Sequence, residues 1–182
     1  MSVALIDKLT ADLLRWRRKL REPALGPTDV VGIAAKAINE LEVIFREELT
    51  DCLRTFQIEH KALEEMTFGQ LIKRLEELNE RLTPLCRNHN LGAAEMLKDR
   101  MLLEETERQH LKIINQVRRS LHRNDMEATL VSKTPEVIAR IEEVLKMPLF
   151  LLRWTSQPIN TAGAGLDNSG HSTGSAEKWG QP

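Results

Sequence analysis

Arg118 and His122 are the two side chains of this 182-residue chain whose types and spacing come closest to a reactive pair. They lie in Ile113–Asp125, IINQVRRSLHRND, and a separation of four positions puts both on one face of a helix. An imidazole with a pKa near neutrality can exchange a proton, and a planar guanidinium can hold a phosphate through two parallel hydrogen bonds. The chemistry this pair could serve is proton transfer beside a held phosphate. Arg119, Arg123, Asn115 and Arg108 surround it in the sequence and are candidate contacts for RNA or a partner protein. The same cations have a plainer reading as well. Arg118, Arg119, His122 and Arg123 stand at a helix C-terminus, where positive charge complements the macrodipole without any further function.

Other clusters carry less. Arg15, Arg17, Arg18, Lys19 and Arg21 interleave with Trp16 and could meet phosphate or an anionic membrane surface. Trp16 falls on a leucine stripe, however, and the charges again sit at a helix end. Cys86-Arg-Asn-His89 has a metal-like gap, with Cys52, His60 and His110 elsewhere, but a zinc site takes four ligands in two close pairs and one pair is visible. Glu104, Glu105 and Glu107 suggest a carboxylate bundle. A di-metal bundle needs Glu-x-x-His on two helices, and Glu107-Arg-Gln-His110 is one instance, while Glu59 is followed directly by His60. No metal and no cofactor are expected, since nucleophile elbow, phosphate loop and dinucleotide fingerprint are all missing from the sequence.

The elements that must position these residues have a helical period. Leu5, Leu9, Leu13, Trp16 and Leu20 form a first stripe, with Ser2 as N-cap and Glu22–Pro27 as terminator. A second helix starts near Thr28 or Asp29 and carries Val30, Ile33, Ala34, Ala37, Leu41, Ile44, Phe45 and Cys52. Gly32, Ala34, Ala35 and Ala37 on its first turns would let a neighbour approach closely. Thr67-Phe-Gly-Gln70 fits a capping box, with Met66 and Leu71 as a hydrophobic staple, and opens a third helix that ends before Pro84. A fourth runs from about Leu91 to His122 with a polar middle, EETERQH, which is an exposed stretch, a kink or a partner-facing surface. Thr134 caps a fifth with Pro135 at its first position. Met147–Trp154 packs back as a lid. The expectation is an all-α protein, an antiparallel bundle of four to five helices with short loops.

Order and content of these helices resemble HEPN-type domains, many of which are RNA-cleaving or RNA-binding modules of microbial toxin and defence systems. The resemblance rests on Ile-Asn-x-Val-Arg-x-x-Leu-His-x-Asn at the end of helix four, on the glycine-led VVGIAAKAINELEVIFREEL with its buried Leu-Glu pair, and on the capped TFGQLIKRLEEL, and it spans roughly Val30–Leu145. It implies a homodimer in which an arginine, a polar residue and a histidine from facing subunits cleave RNA without metal. Arg118 and His122 would fill the first and last of those roles. The family's spacing leaves four to six residues between them; here three intervene, Arg119-Ser120-Leu121. Arg123 stands at the shortest usual histidine position, and Arg119 replaces the common asparagine.

Composition bounds the rest. The net charge is −1 with 29% charged residues, so no whole-domain basic field is present and any RNA site must be local. Two cysteines make no disulfide framework and fit a cytoplasmic protein with free thiols. Met1–Leu20 is charged through its second half, unlike a signal peptide, and no apolar run approaches the roughly 20 residues of a membrane span. Residues 1–154 read as one helical domain. Thr155–Pro182, with five of the nine glycines, reads as a disordered Gly/Ser/Thr-rich tail. The functional expectation is a non-catalytic dimeric module that binds a partner protein or RNA. A metal-independent ribonuclease, or a regulatory or assembly protein without nucleic-acid contact, are the alternatives.

Overall fold

The computed structural model of the chain describes residues 2–55, 58–88, 97–123 and 127–151, the side chains of Ser2 and of residues 82–88 excepted. The helices are α1 (Ser2–Lys19), α2 (Pro27–Thr55), α3 (Phe68–Asn88), α4 (Glu105–His122), α5 (Glu127–Val144) and the single turn α6 (Pro148–Leu151). A 3-10 helix, Lys61–Glu65, links α2 to α3, and residues 97–100 form a further helical turn. The protein is an all-α bundle, and there is no strand among the described residues. The expected tail, 155–182, lies outside them, as does Trp154.

The bundle is organised around α2, which packs against every other named helix and the 3-10 turn. Pro27 occupies its first position, where the ring's fixed φ suits a helix and the missing N–H would have had no intrahelical partner. Apolar residues bury more than one face of α2, from Ile33 through Ile38, Leu41, Phe45 and Leu49 to Leu53. Ala34 and Ala37 are fully buried. Gly32 does not share that role, since it is exposed and a Cβ there would meet nothing. On α1 the buried stripe is Ile6, Leu9, Leu13 and Trp16, with Leu5 and Leu20 at its margins.

Thr67 and Gln70 do mark the start of α3, in a modified form. The Gln70 side-chain oxygen accepts the Thr67 amide at 2.8 Å and also the Thr67 hydroxyl at 2.9 Å. The hydroxyl therefore donates to the glutamine and is not seen accepting its backbone amide. The helix then runs beyond Pro84 to Asn88, so the proline does not end it.

Two further boundaries differ from the sequence expectation. Helix four is broken in two: Met101 is a turn, and Glu104, extended at φ −75° and ψ 160°, is the N-cap of α4. The Glu107 carboxylate accepts the Glu104 amide at 2.8 Å and closes a capping box. The polar stretch 104–110 is thus a helix start, not a helix middle. Helix five begins earlier than expected, at Glu127, which leaves Thr134 and Pro135 inside it. Thr134 is fully buried and its hydroxyl donates to the Leu130 carbonyl at 2.9 Å, so it caps nothing.

Packing directions follow from cross-links. Asn115 meets Gly69 and Arg108 meets Glu76, so α3 and α4 run antiparallel. The charge of Glu143 reaches His110 from the far end of α5, so α4 and α5 form an antiparallel hairpin. The lid expected after α5 does pack back: Met147, Leu149 and Phe150 are buried, and Phe150 meets Phe45 edge-on at 5.9 Å. Arg100 and Glu48 form an ion pair at 2.7 Å with each side chain 5% exposed. Arg100 Nε also donates to the Leu149 carbonyl at 3.4 Å, and Asn79 donates to the Met101 carbonyl at 2.7 Å. These bonds tie residues 100–101 to α2, α3 and α6 together. No helix among the described residues is long and apolar enough to cross a membrane.

Candidate functional site

At the end of α4 the arginine and the histidine have different environments. Helix α4 turns Arg118 inward, against α2. Its Nε donates to Glu42 Oε2 at 2.8 Å and its Nη2 to Oε1 at 3.4 Å. Arg46, one turn further along α2, donates from Nη2 to the same Oε1 at 3.0 Å. Arg46 also bonds the carbonyls of Leu63 and Met66, at 3.1 and 2.8 Å. One buried carboxylate therefore holds two guanidiniums, and the second of them fixes the connection into α3. Arg118 is bound along its Nε–Nη2 edge by an internal acid.

His122 is exposed, four positions on, and its side chain makes no hydrogen bond or ion pair with the described residues. Arg119 and Arg123 are exposed beside it, and the Arg123 amide closes the helix on the Arg119 and Ser120 carbonyls at 3.2 Å each. The other two residues that the sequence singles out are internal cross-links. Asn115 is half-buried against Gly69, where a Cβ would stand 3.0 Å from its Nδ2, so a side chain there would make the asparagine give by a few tenths of an ångström. Arg108 lies 3.6 Å from Glu76. Of the six, the structure gathers Arg119, His122 and Arg123 into one exposed cationic surface and commits Arg118, Arg108 and Asn115 to packing.

The cluster on α1 is similarly divided. Arg15 pairs with Asp12 at 2.8 Å and Arg17 with Glu142 at 3.1 Å, while Trp16 is buried with Lys36 Nζ 5.8 Å from its ring centre. Cys52 is buried, and burial pushes its thiol up to about 11. The Cys86 side chain and His89 lie outside the described residues, among which no group of three or more His, Cys, Asp or Glu is arranged to hold a metal ion.

A second polar feature sits at the opposite end of α4. The start of α4 and the end of α5 enclose a cleft of about 220 Å³ lined by Glu104, Thr106, Glu107, His110, Glu143, Val144 and Lys146. His110 is 8% exposed and its Nδ1 is buried without a hydrogen-bond partner. Burial lowers the pKa of His110, the charge of Arg140 lowers it further, and Glu143 opposes both. Burial raises the Glu107 carboxyl; the Glu104 amide opposes this and the Glu104 charge adds to it. Glu143 is held down by a hydrogen bond from Lys146 at 2.7 Å. The Glu-x-x-His spacing points to half of this group. Glu143 and Lys146 come from a distant segment and carry no local signal.

The imidazole has a consequence in solution. A folded-state pKa below the unfolded value of about 6.5 means that the unfolded chain takes up the proton first. The stability linked to neutral His110 is fully present above that value and is lost as pH falls through the folded one. Urea midpoints of the wild type and of His110→Leu, compared at pH 7.5 and pH 5.5, should show a smaller drop for the variant. Equal drops would mean that His110 is not the group responsible.

The chain matches no family model, no curated protein and no solved structure.

Proposed function

We propose that this protein is a non-catalytic RNA-binding module, working as a homodimer, in which Arg119, His122 and Arg123 meet RNA phosphates. The observation that carries this reading is the pairing of Arg118 with Glu42 at 2.8 Å. A ribonuclease built on Arg118 and His122 would need that guanidinium to hold the phosphorane, and here a carboxylate already pairs with its charge along the Nε–Nη2 edge. Arg119 and Arg123, exposed beside it with His122, keep their charge available. Binding through phosphates requires only such local charge and falls steeply with salt. The dimer, and a place in a microbial defence or toxin-associated system, rest on the resemblance of helices two to four to HEPN-type domains.

The test is a fluorescence-anisotropy titration of a labelled single-stranded RNA, with gel analysis of the same samples and light scattering of the protein. The expected result is salt-sensitive binding by a particle of twice the chain mass, weakened in Arg119→Ala/Arg123→Ala, with intact RNA in the presence or absence of EDTA. His122→Ala should alter stability by about 1 kcal/mol or less, the scale of a charge at an exposed helix terminus. Metal-independent cleavage that disappears in His122→Ala would overturn the non-catalytic reading. A monomer mass would remove the dimer, and unchanged binding in the double variant would remove the surface.

A further inference from the structure

We propose that the cleft between the start of α4 and the end of α5 binds a primary alkylammonium group, supplied by a lysine side chain of a partner or by a free amine. It is a separate site from the cationic surface, because His110 and His122 stand at opposite ends of α4.

Charge selects the ligand. Three carboxylates, Glu104, Glu107 and Glu143, face the cleft against the single cation Lys146, which Glu143 already holds at 2.7 Å. A helix N-terminus ordinarily receives an anion, but Glu104 and Glu107 take that place through their own capping box. A further anion would meet two like charges. A cation relieves the repulsion between Glu104 and Glu107. A divalent metal fits less well, since no set of three ligands converges here among the described residues.

Shape and the floor of the cleft narrow the choice. About 220 Å³ is below the range of drug-sized ligands and suits a short alkyl chain with a compact head. Val144 and His110, both largely buried, line the floor of the cleft beside the acids. An ammonium has three rotatable donors and can serve Glu107 and Glu143 together. The floor also holds the one buried side-chain polar atom that the described residues leave without a partner, His110 Nδ1. In the Nε2–H tautomer this nitrogen is an acceptor, and a ligand N–H would supply its bond. Burial and then the charge of Arg140 on α5 lower the His110 pKa, which favours the neutral ring with one acceptor nitrogen.

The test is a two-dimensional NMR titration of the full chain with n-butylamine and with the peptide Gly-Lys-Gly, using n-butanol as the uncharged control. We expect saturable shifts at His110, Thr106 and Val144 with an amine and none with butanol. Affinity should fall about tenfold in Glu107→Gln, whose amide oxygen can still accept the Glu104 N–H and keep the helix start, and it should also fall in Glu143→Gln. Binding of the peptide alone would identify a partner's lysine as the source; binding of butylamine would identify a free amine as sufficient. Absence of saturable shifts with either amine, shifts equal to those of butanol, or unchanged affinity in both glutamine variants would overturn the proposal. None of these outcomes depends on RNA binding.

Discussion

Glu48→Ala should cost the fold about 3–5 kcal/mol, the usual result of removing one partner from a buried ion pair. Glu48 and Arg100 each expose 5% of their side chains, and the pair is 2.7 Å long. Without the carboxylate, the guanidinium keeps the Leu149 carbonyl at 3.4 Å and little else to offset its lost hydration. The damage should spread along the chain, because Arg100 fastens residues 97–103 and α6 to α2. Typical domains are stable by only about 5–15 kcal/mol, so the variant should be close to unfolding at 25 °C. The companion variant Glu48→Leu/Arg100→Met removes both charges and should recover most of the loss, since an apolar pair of similar volume carries no desolvation penalty. Urea denaturation of the single and double variants, closed as a cycle, measures both effects. A loss below about 1 kcal/mol in Glu48→Ala would mean that water reaches the pair, and the description of a buried cross-link would fail.

Features that depend on a few neighbouring residues are legible in the amino-acid sequence. The stripe Leu9, Leu13 and Trp16, the Thr67–Gln70 start and the burial of Ile33, Leu41 and Phe45 all follow from period and capping. The Leu-Glu pair expected to be buried in helix two is Leu41 and Glu42, and both are. Sequence and structure part company where a local motif has two structural uses. Thr134-Pro135 has the composition of a helix start, but Leu130, Val137 and Ile138 are all buried in the core, and their packing carries the helix straight through the proline. Glu104 is a weak N-cap type, so the polar stretch after it does not announce a new helix. Nor can spacing reveal the partners of the site. Glu42 and Arg118 are 76 positions apart, and only the packing of α4 on α2 brings them together. The same holds for Glu143 and His110.

Glu42→Ala is the second large effect expected, about 2–3 kcal/mol. It lies below the fully buried case because the side chains of Glu42, Arg46 and Arg118 are 12%, 26% and 18% exposed and solvent screens part of the loss. Two guanidiniums lose one carboxylate at once. Arg46 retains the Leu63 and Met66 carbonyls, so its connection into α3 should hold, while Arg118 is left with no acid on α2. Glu42→Ala/Arg118→Met should therefore be more stable than Glu42→Ala alone, and a thermal melt of the two variants decides this. The comparison also bears on function. If removal of Glu42 costs less than about 1 kcal/mol, Arg118 is not held inside the bundle, its fork is free to grip a phosphate beside His122, and the case against catalysis loses its foundation. If the cost is as large as expected, Arg118 belongs to the core's electrostatics, and the groups left exposed at the end of α4 are Arg119, His122 and Arg123.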